Sequence, residues 1–475
     1  MEFFAEKKGM PGMTLLKKIV LFSAFFIINP VFAIDGDIDF PVPDNLKSNI
    51  EFWKIIYTKI SIKAGILHDK EYPLIIYDTL FIGDLYGRQL DSYTDHYKKK
   101  IAHSIKKIRS TKQSTWGVDE RRLAALFRNY HANVLNGAEK RIRFQLGQKE
   151  RFLEGIIRSG ALIDTICYIL TSYNVPLRLA YLPHVESSFN IAAYSKAGAA
   201  GLWQFMPETG KQYLRINNTF DERLDPVLST IAAARLLSKN YKYLKSWPLA
   251  ITAYNYGLAG ILRAVEKTGS RDLGIIMEKH ESPTFRFASK NFYSCFIAAS
   301  DIARNATHHF GKIEYSPKMT NITEVTLNAQ LYPFEIGKML GISEKEIAAM
   351  NPFILPNVFK DQRPLPGGTK LRVNSTLQLE KVEKQISRFF KSYPRSYDRL
   401  KRENLTRKNI TEQTKYKLII LPKKTNLADS VYNFHLEWPE QRYVKFYNEN
   451  YRYRSQSAFK IIVRDSSSRA QESSK

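Results

Sequence analysis

Apolar residues recur at three- and four-residue intervals along most of this chain, and that spacing predicts helices. Phe52, Trp53, Ile56, Tyr57 and Ile60 share one face. Ile101, Ile105 and Ile108 do the same within the basic run Lys98 to Lys112, which reads as a solvated helix face rather than a binding patch. Ala138 to Ile157 reads as a further basic amphipathic helix. Leu177, Ala180, Tyr181 and Leu182 predict a buried helix entered at Asn174-Val175-Pro176, with proline in its first turn. Asp225-Pro226 opens another, whose apolar stripe runs from Val227 to Tyr243 and breaks at Ser246-Trp247-Pro248. Leu249 to Tyr254 is a short apolar helix ending at Asn255 and Gly257, and Phe285 to Ala299 closes the series. Pro73 to Ile82 fits a short strand or a buried helical turn, and its period does not decide between them.

The two ends read differently. Lys17-Lys18 precedes the apolar run Ile19 to Ile28, and Val31-Phe32-Ala33 follows. That is the layout of a secretory signal peptide, with cleavage expected after Ala33. The run is short for a membrane span, although an uncleaved anchor is the competing reading. No cysteine follows it, which argues against a lipid anchor. From Ser375 to Lys475 the chain is polar, basic and rich in tyrosine, with strand-like segments at Tyr416 to Leu421 and Phe459 to Val463. The last stretch, Asp465 to Lys475, has the composition of a disordered tail. The expected divisions are therefore a signal peptide (1–33), a mainly helical N-terminal region (34–160), an all-helical unit (161–310), a small module (311–374) and a basic C-terminal region (375–475).

Candidate chemistry gathers at Glu186. It stands at the expected C-terminal end of a buried helix, where apolar surroundings and the negative helix end both disfavour its charged form. A carboxyl kept protonated near neutral pH is what a general acid needs. Glu186-Ser187-Ser188-Phe189, Gly201-Leu202-Trp203-Gln204-Phe205-Met206-Pro207 and Ala253-Tyr254-Asn255-Tyr256-Gly257 stand in that order along the helical unit. Together they resemble the three signature motifs of lytic transglycosylases of the soluble, goose-lysozyme-like type. Leu182-Pro183-His184-Val185 before the Glu-Ser pair is similar to the membrane-bound D subtype.

The resemblance implies a lysozyme-like, all-helical catalytic domain in a mainly α protein. It implies that Glu186 is the catalytic acid and that Ser187 hydrogen-bonds and orients it. Gln204 and Met206 would line the cleft beside the muramoyl sugar, Tyr254 and Asn255 would contact sugar rings or the N-acetyl group, and Tyr293 would help hold the acid. No cofactor or metal is implied. Residues 326–373, with Phe334 to Ser343, Ala348 to Pro352 and Leu365 to Val373, resemble a LysM module, which implies a strand, two helices and a Pro-Gly turn into a closing strand. The usual Gly-Asp-Thr opening is replaced by Asn328-Ala329-Gln330, which favours likeness of fold over preserved glycan binding.

Ordinary glycosidases use two carboxylates. Near Glu186 the sequence offers only Glu208, at a helix start where an acid serves the dipole, and Asp221, in an expected loop. A goose-type lysozyme hydrolase and a wall-binding scaffold without turnover remain alternatives to the transglycosylase. The chain has 475 residues and a net charge of +26, from 72 basic and 46 acidic residues. Such a surface favours polyanions. Peptidoglycan strands are the expected partner and an anionic membrane surface a second; export argues against nucleic acid, and the oligomeric state is open. The expected location is the periplasm, free or membrane-associated. Cys167 and Cys295 read as two buried thiols, with a disulfide open to an exported protein.

Overall fold

The structure is a computed structural model. It describes residues 39–374 except 319–321 and 328, most of 379–402, and the strand Ile419–Ile420. The expected signal peptide and the segments Phe459 to Val463 and Asp465 to Lys475 lie outside the described residues.

The protein is mainly helical. Helix α1 (Lys47–Thr58) leads into strands β1 (Ala64–Asp69) and β2 (Ile76–Phe81), then α2 (Gly87–Ser110) and α3 (Val118–Ala125). Strand β3 (Ile142–Leu146) and α4 (Lys149–Ser159) follow, then α5 (Ile163–Ser172). A 3-10 turn over Leu177–Tyr181 runs into the short α6 (Leu182–Glu186), and α7 (Pro207–Gly210) precedes the long α8 (Pro226–Leu244). The series ends with α9 (Trp247–Tyr256), α10 (Leu258–Thr268), α11 (Leu273–Lys279), α12 (Phe287–Arg304) and α13 (Ala306–Phe310).

Strand β1 is the centre of an antiparallel sheet ordered β2-β1-β3, with Gly65 opposite both Leu80 and Leu146. This corrects the expected helix from Ala138 to Ile157. Ile142, Phe144 and Leu146 alternate with Arg143 and Gln145, a period of two, and the helix begins only after Gly147. It also decides Pro73 to Ile82, whose second half is β2. Ile101, Ile105 and Ile108 of α2 cover this sheet, in a core with Leu67, Tyr77 and Leu80.

The larger core does not stop at residue 160. Phe52, Trp53, Ile56 and Tyr57 of α1 are buried with Phe152 and Ile156 of α4 and with Tyr293 and Phe296 of α12. Phe52 and Ile56 alone contribute about 1.5–3 kcal/mol each by leaving water. Trp53 Nε1 and Asn49 Nδ2 both donate to Asn291 Oδ1 on α12, at 3.1 and 2.9 Å.

Beyond α13, strand β4 (Ile322–Thr326), helices α14 (Pro333–Leu340), α15 (Glu344–Met350) and α16 (Pro356–Lys360), and strand β5 (Lys370–Asn374) form a second small unit. Strand β4 pairs with β5 and with β6 (Ile419–Ile420), both antiparallel. Helix α17 (Leu379–Ser392) packs on α14, and Phe389 and Leu400 enter the same core. The C-terminal region that the sequence suggested to begin at Ser375 thus adds core residues to this module. Among the described residues no helix is long and apolar enough to cross a membrane.

Asp69, fully buried on β1, accepts from Arg141 Nε at 2.9 Å and from the Tyr77 hydroxyl at 3.1 Å. Arg141→Met would leave that carboxylate without its cation, which costs about 3–5 kcal/mol. Urea unfolding of the variant should show a loss of that size.

Candidate active site

The backbone around Glu186 is held rather than free. Helix α6 ends at Glu186, and the next residues turn sharply: Ser188 and Phe189 both adopt left-handed φ, 51° and 56°. Such strain persists only where surroundings impose it. Here Arg158 Nε of α4 donates to Ser188 O at 3.0 Å, and Phe189 is buried against the His184 ring at 4.4 Å. Gly155 lets α4 approach, since a Cβ there would sit 3.0 Å from Ser188 O. His184 is buried among Phe152, Tyr181 and Phe189 with neither ring nitrogen hydrogen-bonded, and burial pushes its pKa down to about 3. It is a neutral packing residue.

The second motif builds a wall. Ser187 Oγ donates to Leu202 O at 2.8 Å and so ties the end of α6 to this wall. The expected hydrogen bond from Ser187 to the Glu186 carboxyl is not formed, because the hydroxyl is turned to backbone carbonyls instead. Trp203 is fully buried, its Nε1 donating to Thr230 Oγ1 of α8 at 2.8 Å. Gln204 has a left-handed φ of 48°, and its Nε2 donates to Gly201 O at 2.9 Å. Gly201 is required as glycine: its φ is 78°, and a Cβ would lie 1.8 Å from Arg223 O. Met206, at the rim, is exposed.

The third motif closes on the second. Tyr254 of α9 donates its hydroxyl to Trp203 O at 2.8 Å, and its ring lies 6.1 Å from Phe205. Asn255 is exposed, with Oδ1 accepting from Ser289 Oγ of α12 at 2.9 Å. Glu186, Gln204, Met206, Tyr254 and Asn255 therefore stand on segments joined by two hydrogen bonds, Ser187 Oγ to Leu202 O and the Tyr254 hydroxyl to Trp203 O. Tyr293 is not with them on the surface. It is fully buried in α12 and donates to Pro41 O at 2.9 Å, a place from which it cannot touch a sugar.

As a residue Glu186 is half-buried, yet its carboxyl is enclosed by protein. The enclosure of the carboxyl, rather than the average exposure of the residue, governs its charge. Burial pushes its pKa up to about 8. No described residue hydrogen-bonds or ion-pairs it. Tyr57, Tyr254 and Cys295 lie near enough to feel its charge, and burial raises all three well above their usual ranges. Sequence reasoning missed Tyr57 and Cys295. Tyr57 stacks on Phe152 at 4.7 Å, and its hydroxyl meets the Cys295 thiol. The apolar faces of α1 and α12 were legible; that these faces close over Glu186 was not. Cys167 and Cys295 are both free thiols.

The other two carboxylates are placed as structural groups. Glu208 is exposed in the first turn of α7. Asp221 is buried and gripped by Arg223, Oδ1 to Nε at 2.9 Å and Oδ2 to Nη2 at 2.8 Å. Among the described residues no group of three or more His, Cys, Asp or Glu could hold a metal ion.

Residues 166–275 match the family model of the transglycosylase SLT domain. The chain carries a transglycosylase SLT domain. Membrane-bound lytic murein transglycosylase D of Escherichia coli strain K12 is 29% identical over 180 residues, as is its counterpart in strain O6:H1. Those matches cover 38% of this chain and 39% of each relative, so the chain spans well under half the length of the curated relatives it matches. An inactive mutant of the lytic transglycosylase Slt from Pseudomonas aeruginosa matches at 14% identity, over 47% of this chain and 34% of that one. The TM-score of that match is 0.27. The matched span holds all three motifs but neither α1 nor α12, so two of the walls around Glu186 come from outside the SLT domain.

Two pH effects follow. The Glu186 carboxyl is neutral below about pH 8, so any reaction that needs its proton should hold its rate to roughly that pH and fall above it. Its folded pKa also lies above the ordinary 4.5, so stability is fully present below about 4.5 and is lost as pH rises through about 8. Glu186→Gln has no proton to exchange. Urea unfolding across that window should show the stability difference between parent and variant changing with pH by that slope, and constant below about 4.5.

Proposed function

We propose that this protein is a peptidoglycan lytic transglycosylase with Glu186 as its single catalytic acid. Glu186 donates its proton to the glycosidic oxygen between N-acetylmuramic acid and N-acetylglucosamine, and the β-1,4 bond breaks. The positive charge at the muramoyl carbon is held by the N-acetyl group of the substrate or as an oxocarbenium-like state. Glu186, now ionised, takes the proton of the C6 hydroxyl of the same sugar, and that oxygen closes on the charged carbon. The product is a 1,6-anhydromuramoyl end, and no water is consumed. Gln204, Met206, Tyr254 and Asn255 contact the sugars.

One observation carries this reading: the Glu186 carboxyl is enclosed, with its pKa pushed up to about 8, and among the described residues no free carboxylate stands with it. A two-carboxylate hydrolase needs a second group to act as nucleophile or base. Asp221 is committed to Arg223, and Glu208 is exposed in the first turn of α7. A goose-type hydrolase would have to activate water on Glu186 alone, and a non-catalytic scaffold has no need to hold a carboxyl at about 8.

The test is mass spectrometry of digested peptidoglycan. Anhydro ends support the transglycosylase, reducing ends the hydrolase, and no release the scaffold. Glu186→Gln keeps the shape without the proton, so turnover should fall by at least roughly 10²–10⁴-fold with folding intact. Near-parental activity would place the acid elsewhere, Glu208 first.

The setting we propose is the periplasm, at or near the membrane, with a leader ending at Ala33. The net charge of +26 favours the carboxylates of peptidoglycan stems and anionic lipid. Removing the chain beyond Ile420 spares the strand β6 as well as Phe389 and Leu400 of the module core. That truncation should weaken sacculus binding at low salt and spare cleavage of soluble glycan fragments. Equal, salt-independent binding by the truncated and full chains would deny the tail a retention role.

A further inference from the structure

The loop 217–225 enters the core of the small module. Phe220 is buried in the core of the small module, its ring 5.9 Å from Phe353. The backbone is paired too: Asp221 N donates to Phe353 O at 2.8 Å, and Leu355 N to Thr219 O at 3.0 Å. Arg372 of β5 reaches across to Asp225, Nη1 to Oδ2 at 2.5 Å and Nη2 to Oδ1 at 3.1 Å. Asp225 is also the N-cap of α8, its Oδ1 accepting from Val227 N and Leu228 N at 2.9 Å each.

The same loop holds the wall beside Glu186. Arg223 Nη1 donates to Gly198 O at 2.7 Å and to Phe205 O at 2.9 Å, spanning the segment 198–205. The side chain is fixed for that task by Asp221, which also accepts from the Tyr194 hydroxyl at 3.1 Å. Gln204 and Met206 flank the very carbonyl that Arg223 grips. Asp221 is therefore a hinge point: its backbone is bonded to the module and its side chain to the guanidinium that sets the wall.

We propose that the small module, residues 322–374, is a positioning element of the active site, acting through loop 217–225 on the wall 193–206. Phe353 and Arg372 are positioning residues that touch no substrate. A module that served only as a tethered binding arm would need a mobile linker and no shared core. Here the aromatic insertion, the paired backbone and the buried ion pair fix one arrangement. The module side of each contact lies well over a hundred residues from Glu186 in sequence. The kinetic part of the proposal rests on the reading of Glu186 as the acid; the mechanical part does not.

The experiment uses the full chain with Phe353→Ala and Arg372→Gln, each beside its conservative partner, Phe353→Leu and Arg372→Lys. Hydrogen exchange of the amides from Tyr194 to Phe205 reads the wall without any assay. It should speed up in the two disruptive variants and return toward the parent in the conservative ones. With soluble glycan fragments, KM should rise roughly 10- to 100-fold, because the sugar contacts at Gln204 and Met206 are misplaced. The fall of rate above about pH 8 should stay where it is, because α1 and α12 rather than the module enclose Glu186. Unchanged wall exchange while the amides of β5 have loosened would overturn the proposal, as would unchanged KM in an active protein. If one variant does not fold, the other decides. If the parent itself cleaves no glycan, the proposed activity fails, and the exchange data alone decide the coupling.

Discussion

Keeping a carboxyl uncharged inside a protein is the constraint on which the rest of this structure depends. Water would ionise Glu186 at neutral pH, so the fold must remove water from it without offering a cation or a row of donors. The surroundings obey that rule. The groups that reach toward Glu186 are two phenols and a thiol, none of which carries charge near neutral pH. The neighbouring imidazole of His184 is itself forced neutral by burial. Cations are present in the same region but are spent on backbone carbonyls, Arg158 on Ser188 and Arg223 on Gly198 and Phe205. The site is thus polar in its scaffolding and apolar at its centre.

Much of this was legible in the sequence, and the failures have physical causes. The helical stripes of α1, α2 and α8 were plain because each buries one face against a core, and α9 and α12 were plain as apolar runs that are buried all round. The segment from Ala138 to Ile157 misled because a strand and a helix share it, and alternation over five residues is easily absorbed into a longer helical pattern. Glu186 was readable from its place at a helix end within a set of ordered motifs. The hydroxyl partners of Ser187 and Tyr293 were not. A hydroxyl chooses among several acceptors within reach, and only the fold decides that Ser187 faces Leu202 O and Tyr293 faces Pro41 O. Tyr57 and Cys295 carried no local signal at all, since their importance comes from α1 crossing α12.

The small module shows a related limit. Its elements can be read from spacing and turn residues, but its docking cannot. Phe220 looks like an ordinary apolar residue of a polar loop, and Asp225 like an ordinary helix cap. Each has a second partner in another unit, Phe353 and Arg372. Residues with two employments of this kind are where a domain boundary drawn on the sequence ceases to be a boundary in the molecule.

The seam between α1 and α12 also bears on the order in which the molecule can be assembled. Asn49 and Asn291, joined by a hydrogen bond, are 242 residues apart. Helix α1 is among the first parts of the chain to exist and cannot bury Phe52, Trp53, Ile56 and Tyr57 against its partner until α12 is present. Contacts of such long sequence separation carry a large loop-closure cost and form late. Until that seam closes, Glu186 stands in water as an ordinary ionised glutamate. The raised pKa of this carboxyl is therefore a property of the closed seam, and a partly folded chain lacks it.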